Sequence, residues 1–206
     1  MLILHPNSKH LFEQLINWDK SLLLHLNGMH TDFWDIVMFQ MSNKFIWLPL
    51  YVFLLYLVIR DYRLRTIDVL ISIALLITIS DFSSVHLFKE IFQRLRPCHD
   101  SEIKPLLHLV YNECGGLYSF VSSHAANTFA LTFFLITVMG KKVKYLTAGM
   151  VVWASIVSYS RIYLGAHYPL DVLCGAVLGI ATGTLLGKLF MWYYSKFVAK
   201  ENRQPI

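Results

Sequence analysis

Three short polar clusters interrupt an otherwise apolar chain: Lys89 followed by Arg96-Pro97, then Ser122-Ser123-His124, then Ser160-Arg161 with His167 and Asp171. They supply cations that can hold a phosphate, one histidine that can attack phosphorus and another that can protonate the leaving oxygen. Charge beside a membrane core is costly, and such residues read by default as functional. The chemistry these types suit together is phosphoryl transfer.

Each cluster also has a plainer reading. Lys89 and Arg96 resemble a pair of side chains snorkelling at a helix end, and Arg94 is a candidate for that ordinary role. Arg161 follows an apolar run and has no acid near it in sequence before Asp171. Ser122 and Ser123 suit a helix start, where free backbone N–H groups and the positive end of the dipole also favour an anion. His124 in that first turn would stand beside a bound phosphate. In His167-Tyr168-Pro169-Leu170-Asp171, proline predicts a helix start near Pro169. Asp171 then falls in the first turn, where its carboxylate could orient one ring nitrogen of His167 and leave the other free to attack. The plain alternative is an acid complementing the helix dipole beside an interfacial histidine.

Elements able to position these groups follow from composition. Of the 206 residues, 56% are hydrophobic and 15% charged, against about 25% charged in an ordinary soluble domain. Five segments, near 45–60, 66–88, 118–139, 145–164 and 170–194, are apolar enough to cross about 30 Å of hydrocarbon. The last is rich in small residues (Gly175, Ala176, Gly179, Ala181, Gly183, Gly187), which allow close helix approach. Residues 1–43 carry too many polar groups for a good span. They suggest one or two amphipathic helices at the interface, with Trp18 and Trp34 at that level; a sixth span within 12–42 is the alternative. No basic leader with an apolar core and cleavage site is evident at the start.

The basic connections Arg60/Arg63/Arg65, Lys141/Lys142/Lys144 and Lys196/Lys200/Arg203 face the cytoplasm by the positive-inside rule. All three polar clusters then emerge on the opposite face. Basic residues scattered among hydrophobic runs, rather than gathered in a stripe, argue against nucleic acid as a partner. Cys98 and Cys114 share one polar loop; a bridge in an oxidising compartment and two free thiols both remain open. Asp81 and His86 read as a buried polar contact between helices, or as groups reaching the site. His99, His108 and Glu113 could touch a headgroup or simply be solvated. Trp192, Tyr193 and Tyr194 read as an interfacial belt.

The clusters resemble the signature of the type 2 phosphatidic acid phosphatase (PAP2) family, whose active site is shared with vanadium haloperoxidases. Lys89 to Pro97 matches K-x6-R-P, and Ser160-Arg161, His167 and Asp171 match S-R-x5-H-x3-D in spacing. Val121-Ser122-Ser123-His124 departs from P-S-G-H at two positions. The resemblance covers about residues 66–190. It implies His167 as the nucleophile forming a phosphohistidine, Asp171 as its orienting acid and His124 as the acid for the leaving group. It also implies Lys89, Arg96, Ser122 and Arg161 as phosphate-binding groups, with a backbone N–H contributed by Ser123, and no metal or cofactor.

The expected fold is an all-α polytopic transmembrane bundle with a PAP2/haloperoxidase-like core. It divides into an N-terminal interfacial region (1–43), a catalytic domain (44–195) and a cytoplasmic tail (196–206). The expected protein is an integral inner-membrane lipid phosphatase with its site facing the periplasm. Undecaprenyl pyrophosphate is the first choice of substrate, on family prevalence, and lipid A or phosphatidylglycerol phosphate the alternative. The rivals are a non-catalytic phospholipid-binding or transport protein, and a vanadium-dependent peroxidase, against which the spans argue.

Overall fold

The computed structural model describes residues 6–112, 114–139 and 144–198. Glu113, Lys141, Lys142, Lys200 and Arg203 lie outside the described residues. The described chain is helical apart from loops and turns, with a single isolated antiparallel bridge between Leu95 and Tyr118. Helices α1 (Pro6–Asn27) and α2 (Asp32–Ser42) come first. Thr31 caps α2 by accepting from the Trp34 N–H. Helix α3 (Leu48–Tyr62) turns into α4 (Thr66–Phe82) through a short 3₁₀ turn at Arg63–Arg65. A π-helical stretch, Ser83–Lys89, and the single turn α5 (Glu90–Phe92) extend α4 until Gln93, at φ 46°, ends the run. Helices α6 (Ser123–Met139), α7 (Lys144–Tyr163) and α8 (Pro169–Tyr193) complete the bundle.

Two of the described helical runs, Lys44–Phe92 and Pro169–Phe197, are long and apolar enough to cross a membrane; Ser123–Met139 is apolar but shorter. The main core joins Leu54, Val58, Val69, Leu76, Phe134, Trp153 and Phe190. At its centre α8 lies against α6 through a stripe of glycines, including Gly179 and Gly183. A Cβ on Gly183 would be driven into the Ala130 carbonyl, a rigid backbone atom that cannot yield. Gly183→Leu is therefore expected to destabilise the bundle by about 1–3 kcal/mol or more, read as a lower unfolding temperature in detergent.

The α3–α4 turn, the end of α6 and the end of α8 meet at one pole. The Tyr62 hydroxyl donates to Val138 O at 2.7 Å, and its ring packs on Tyr194 with centroids 5.4 Å apart. Arg63 and Arg65 therefore share an end with Lys196, whose ammonium lies over Trp192.

The other pole is held by polar clamps. Buried Asn27 donates to Tyr163 O at 2.6 Å and to His108 O at 2.9 Å, and accepts from His108 N at 2.9 Å. Asp35 accepts from the Tyr163 hydroxyl and pairs with His108 Nε2, each at 2.7 Å, so α1 and α2 are tied to α7 through the loop. Cys98 and Cys114 are bridged, with Cα atoms 5.9 Å apart, within the usual range for a disulfide. Of the two readings left open by the sequence, the bridge is the one formed. Closing a loop of this length is worth about 3 kcal/mol. Reductant, or the Cys98→Ser/Cys114→Ser pair, is expected to lower stability by that amount; unchanged unfolding curves would count against the bridge.

Candidate active site

Backbone contacts bring the three clusters together. After Gln93 the chain runs beside residues 117–119, with Arg96 N donating to Leu117 O at 3.0 Å and Ser119 N to Arg94 O at 2.8 Å. Ser122 N donates to Asp171 O at 3.0 Å, which joins the second cluster to the third. Helix α7 ends in a turn whose Gly165 holds φ +68°, a conformation that side chains with a Cβ rarely adopt. The Ala166 and His167 N–H groups both donate back to Arg161 O. That turn places His167 just ahead of Pro169, where α8 starts as expected.

His167 is 1% exposed, and its Nε2 lies 3.1 Å from Arg96 Nη1. Burial, then the charges of Arg96, Arg161 and Lys89, push the pKa of His167 well below the ordinary 6.5. The imidazole is thus neutral and carries a lone pair, as a nucleophile must. Its Nδ1 is 3.6 Å from Asp171 Oδ2, longer than the hydrogen bond expected from spacing. The Asp171 carboxylate is otherwise engaged: it accepts from Tyr168 N at 2.9 Å and from Arg94 Nη1 at 2.9 Å. Lys89 Nζ donates to Ser123 Oγ at 2.8 Å, and Ser84 lies 2.7 Å from the same hydroxyl. Ser122 is enclosed, its hydroxyl accepting from Ala125 N at 3.5 Å as a helix cap. Arg161 donates to Ser42 of α2.

Arg94 corrects the sequence reading. It is no snorkelling surface cation: its guanidinium bridges Asp171 and Asp19, donating at 2.9 and 2.7 Å to two carboxylates that are both fully buried. Its plane also lies 3.8 Å from the centre of the Tyr168 ring. Asp19 further accepts from Leu170 N at 2.9 Å, so α1 caps the start of α8. The available signal was a third cation within the Lys89–Arg96 segment; nothing local to Asp19 marked it. Asp81 and His86 are a second correction. Asp81 is exposed, and His86 pairs with Glu90 on its own helix at 3.0 Å, so they form no buried contact between helices.

His124 is exposed and lines two adjoining cavities. One, about 420 Å³, holds Arg161, Ser42, Lys44 and Phe39; the other, about 270 Å³, runs past Asp81, Asn127, Trp47 and Trp153. Among the described residues, His30, Asp35 and His108 could hold a metal ion. That group lies in the α1–α2 clamp and contains no member of the three clusters. Cys98, His99 and Cys114 also gather, but both thiols are consumed in the bridge.

The family model of the PAP2 superfamily matches residues 65–197, a stretch containing all three clusters. The chain belongs to the PAP2 superfamily. Among curated PAP2 relatives, the lipid A 4'-phosphatase of Bacteroides thetaiotaomicron is 37% identical over 171 residues, covering 82% of this chain and 75% of that one. The lipid A 4'-phosphatase of Porphyromonas gingivalis is 28% identical over 90% of this chain and 78% of its own. The transmembrane PAP2-type phosphatidylglycerolphosphate phosphatase of Bacillus subtilis superposes with a TM-score of 0.66 at 25% identity, covering 89% of both chains. Aquifex aeolicus LpxE gives 0.59 at 25% identity, over 82% of this chain and 93% of that one. The protein is accordingly a PAP2 lipid phosphatase, an enzyme that hydrolyses phosphate esters, with the all-helical PAP2 fold.

Proposed function

We propose that this PAP2 enzyme removes a phosphate from a lipid A-type phosphoglycolipid. The observation that carries the reading is the 37% identity to a lipid A 4'-phosphatase across 82% of the chain. It displaces undecaprenyl pyrophosphate, to whose diphosphatase in Sulfolobus acidocaldarius the chain is 29% identical, as first choice.

In the proposed mechanism Lys89, Arg96 and Arg161 neutralise the non-bridging oxygens of the phosphate. The backbone N–H groups that open α6 at Ser122 and Ser123 assist them. His167 attacks phosphorus through Nε2 while Asp171 stabilises the imidazolium that forms. His124 delivers a proton to the leaving sugar oxygen, so the alcohol departs neutral. It then takes a proton from the water that cleaves the phosphohistidine. Five spans carry this site, with α1 and α2 at the interface. The meeting of Arg63, Arg65 and Lys196 at the pole away from His167 supports a cytoplasmic basic end and a periplasmic active site in a bacterial inner membrane. The Cys98–Cys114 bridge in the site-side loop is consistent with that orientation.

The test is phosphate release by the purified enzyme from lipid A, undecaprenyl pyrophosphate and phosphatidylglycerol phosphate in matched micelles. The expected result is the highest kcat/KM on lipid A; a preference for either of the others would overturn the assignment.

A further inference from the structure

We infer that the cavity running from His124 past Asp81, Asn127 and Trp153 is a subsite for the sugar of the leaving group. The inference rests on the phosphoglycolipid reading and adds the residues that would recognise the glycan. The reacting phosphate is placed at His124 between Arg161, which lines one cavity, and Ser123 at the mouth of the other. The leaving oxygen must meet the His124 imidazole, so whatever that oxygen is bonded to extends into the adjoining cavity of about 270 Å³.

The lining of that cavity is polar in a particular way. Asp81 sits near the end of α4 with its carboxylate exposed, and among the described residues its one side-chain hydrogen bond is a marginal 3.5 Å from Asn127 Nδ2. Asn127 Oδ1 and Trp153 Nε1 are buried, and among the described residues neither has a hydrogen-bond partner. Such groups cost free energy unless something pairs with them. A carboxylate at Asp81, an amide at Asn127, an ammonium at Lys44 and hydroxyls at Ser42 and Ser123 around a single space call for a ligand offering several donors and acceptors at once. The Trp47 and Trp153 rings, 5.9 Å apart and edge-on, add apolar faces of the kind on which the C–H face of a pyranose rests. Hydroxyl and amide groups of an acylated sugar satisfy this set.

Charge separates the pyrophosphate from the phosphate monoesters. A polyprenyl pyrophosphate presents a second phosphate as its leaving group, which would bring an anion to a cavity lined by the Asp81 carboxylate as well as the Lys44 ammonium; a phosphate monoester, whether on glycerol or on a sugar, releases a neutral alcohol instead. A sugar hydroxyl leaves as a neutral alcohol and can donate to that carboxylate.

The experiment uses full-length enzyme and Asp81→Asn, Asn127→Leu and Trp153→Phe variants, with lipid A as substrate and inorganic phosphate as competing inhibitor. Each variant is expected to lose about tenfold or more in kcat/KM on lipid A, as removal of a hydrogen bond to a buried or charged group predicts, while its Ki for inorganic phosphate stays at the wild-type value. A Ki that rises in parallel, or kcat/KM values that do not move, would overturn the subsite and leave the phosphoglycolipid reading standing. Wild-type enzyme that releases phosphate from sugar-free lipid phosphates but none from lipid A would overturn that reading, and the subsite with it.

Discussion

His167→Ala is expected to abolish phosphate release from every lipid substrate, a fall in kcat on the order of 10⁴-fold or more by comparison with other nucleophile deletions. The protein should still fold and still bind inorganic phosphate, because Lys89, Arg96 and Arg161 remain. The pH profile gives the same assignment an independent readout. Burial first, then the surrounding cations, hold the His167 pKa well below 6.5. The proposed nucleophile is therefore expected to stay deprotonated at pH 6.5, and the acid limb of kcat/KM should fall below that value. The sign for stability follows from the same shift. In the unfolded chain this histidine takes up a proton near pH 6.5 while the folded one does not, so its contribution to stability declines as pH drops through that value. Activity surviving His167→Ala would remove the phosphohistidine mechanism, and an acid limb above pH 6.5 would remove the neutral-imidazole picture.

The second large effect belongs to Arg94. Arg94→Ala would strand Asp19 and Asp171, two fully buried carboxylates that share its guanidinium. Breaking a buried ion pair by deleting one partner costs about 3–5 kcal/mol, and here one deletion unpairs two acids. The expected outcome is a steep loss of stability in detergent, together with loss of activity, since Asp171 no longer holds its place beside His167. Arg94→Lys should fall between the two, because a single ammonium cannot reproduce the planar fork that reaches both carboxylates. Asp19→Asn should be milder than Arg94→Ala: the amide oxygen can still accept from Leu170 N, and Asp171 keeps its cation. An Arg94→Ala protein as stable as wild type would show that the bridge carries no weight. These results would also separate Arg94 from Arg96. Arg96 acts directly at His167, so its substitution should weaken phosphate binding more than it weakens the fold.

Much of this was legible in the chain. Hydrophobic runs and breaker residues set the helices: α8 begins at Pro169 as Pro169 and Asp171 implied, and α7 ends at Arg161–Tyr163, where the apolar run gives way to polar residues. The cluster spacings sufficed for the family, because motif residues are read in sequential order. The substrate was less legible. Family prevalence alone points to undecaprenyl pyrophosphate, since the three clusters report on phosphate and not on what the phosphate is attached to.

What only the tertiary structure decided lies in contacts between residues far apart in sequence. No periodicity in α1 marks Asp19 as the partner of Arg94, 75 positions later, and nothing local ties Ser42 to Arg161 across 119. Likewise, Asp81 lines a cavity rather than making a buried helix contact because it faces Asn127 of α6 across an open space. A sequence states which groups are present and which helix each rides on. Which carboxylate meets which guanidinium, and which polar atoms are left facing a cavity, depends on how the helices pack side by side. By itself the sequence determined the family, its phosphatase chemistry and most of the helices; the packing decided how Arg94 braces Asp19 against Asp171 and which residues border the cavities beside His124.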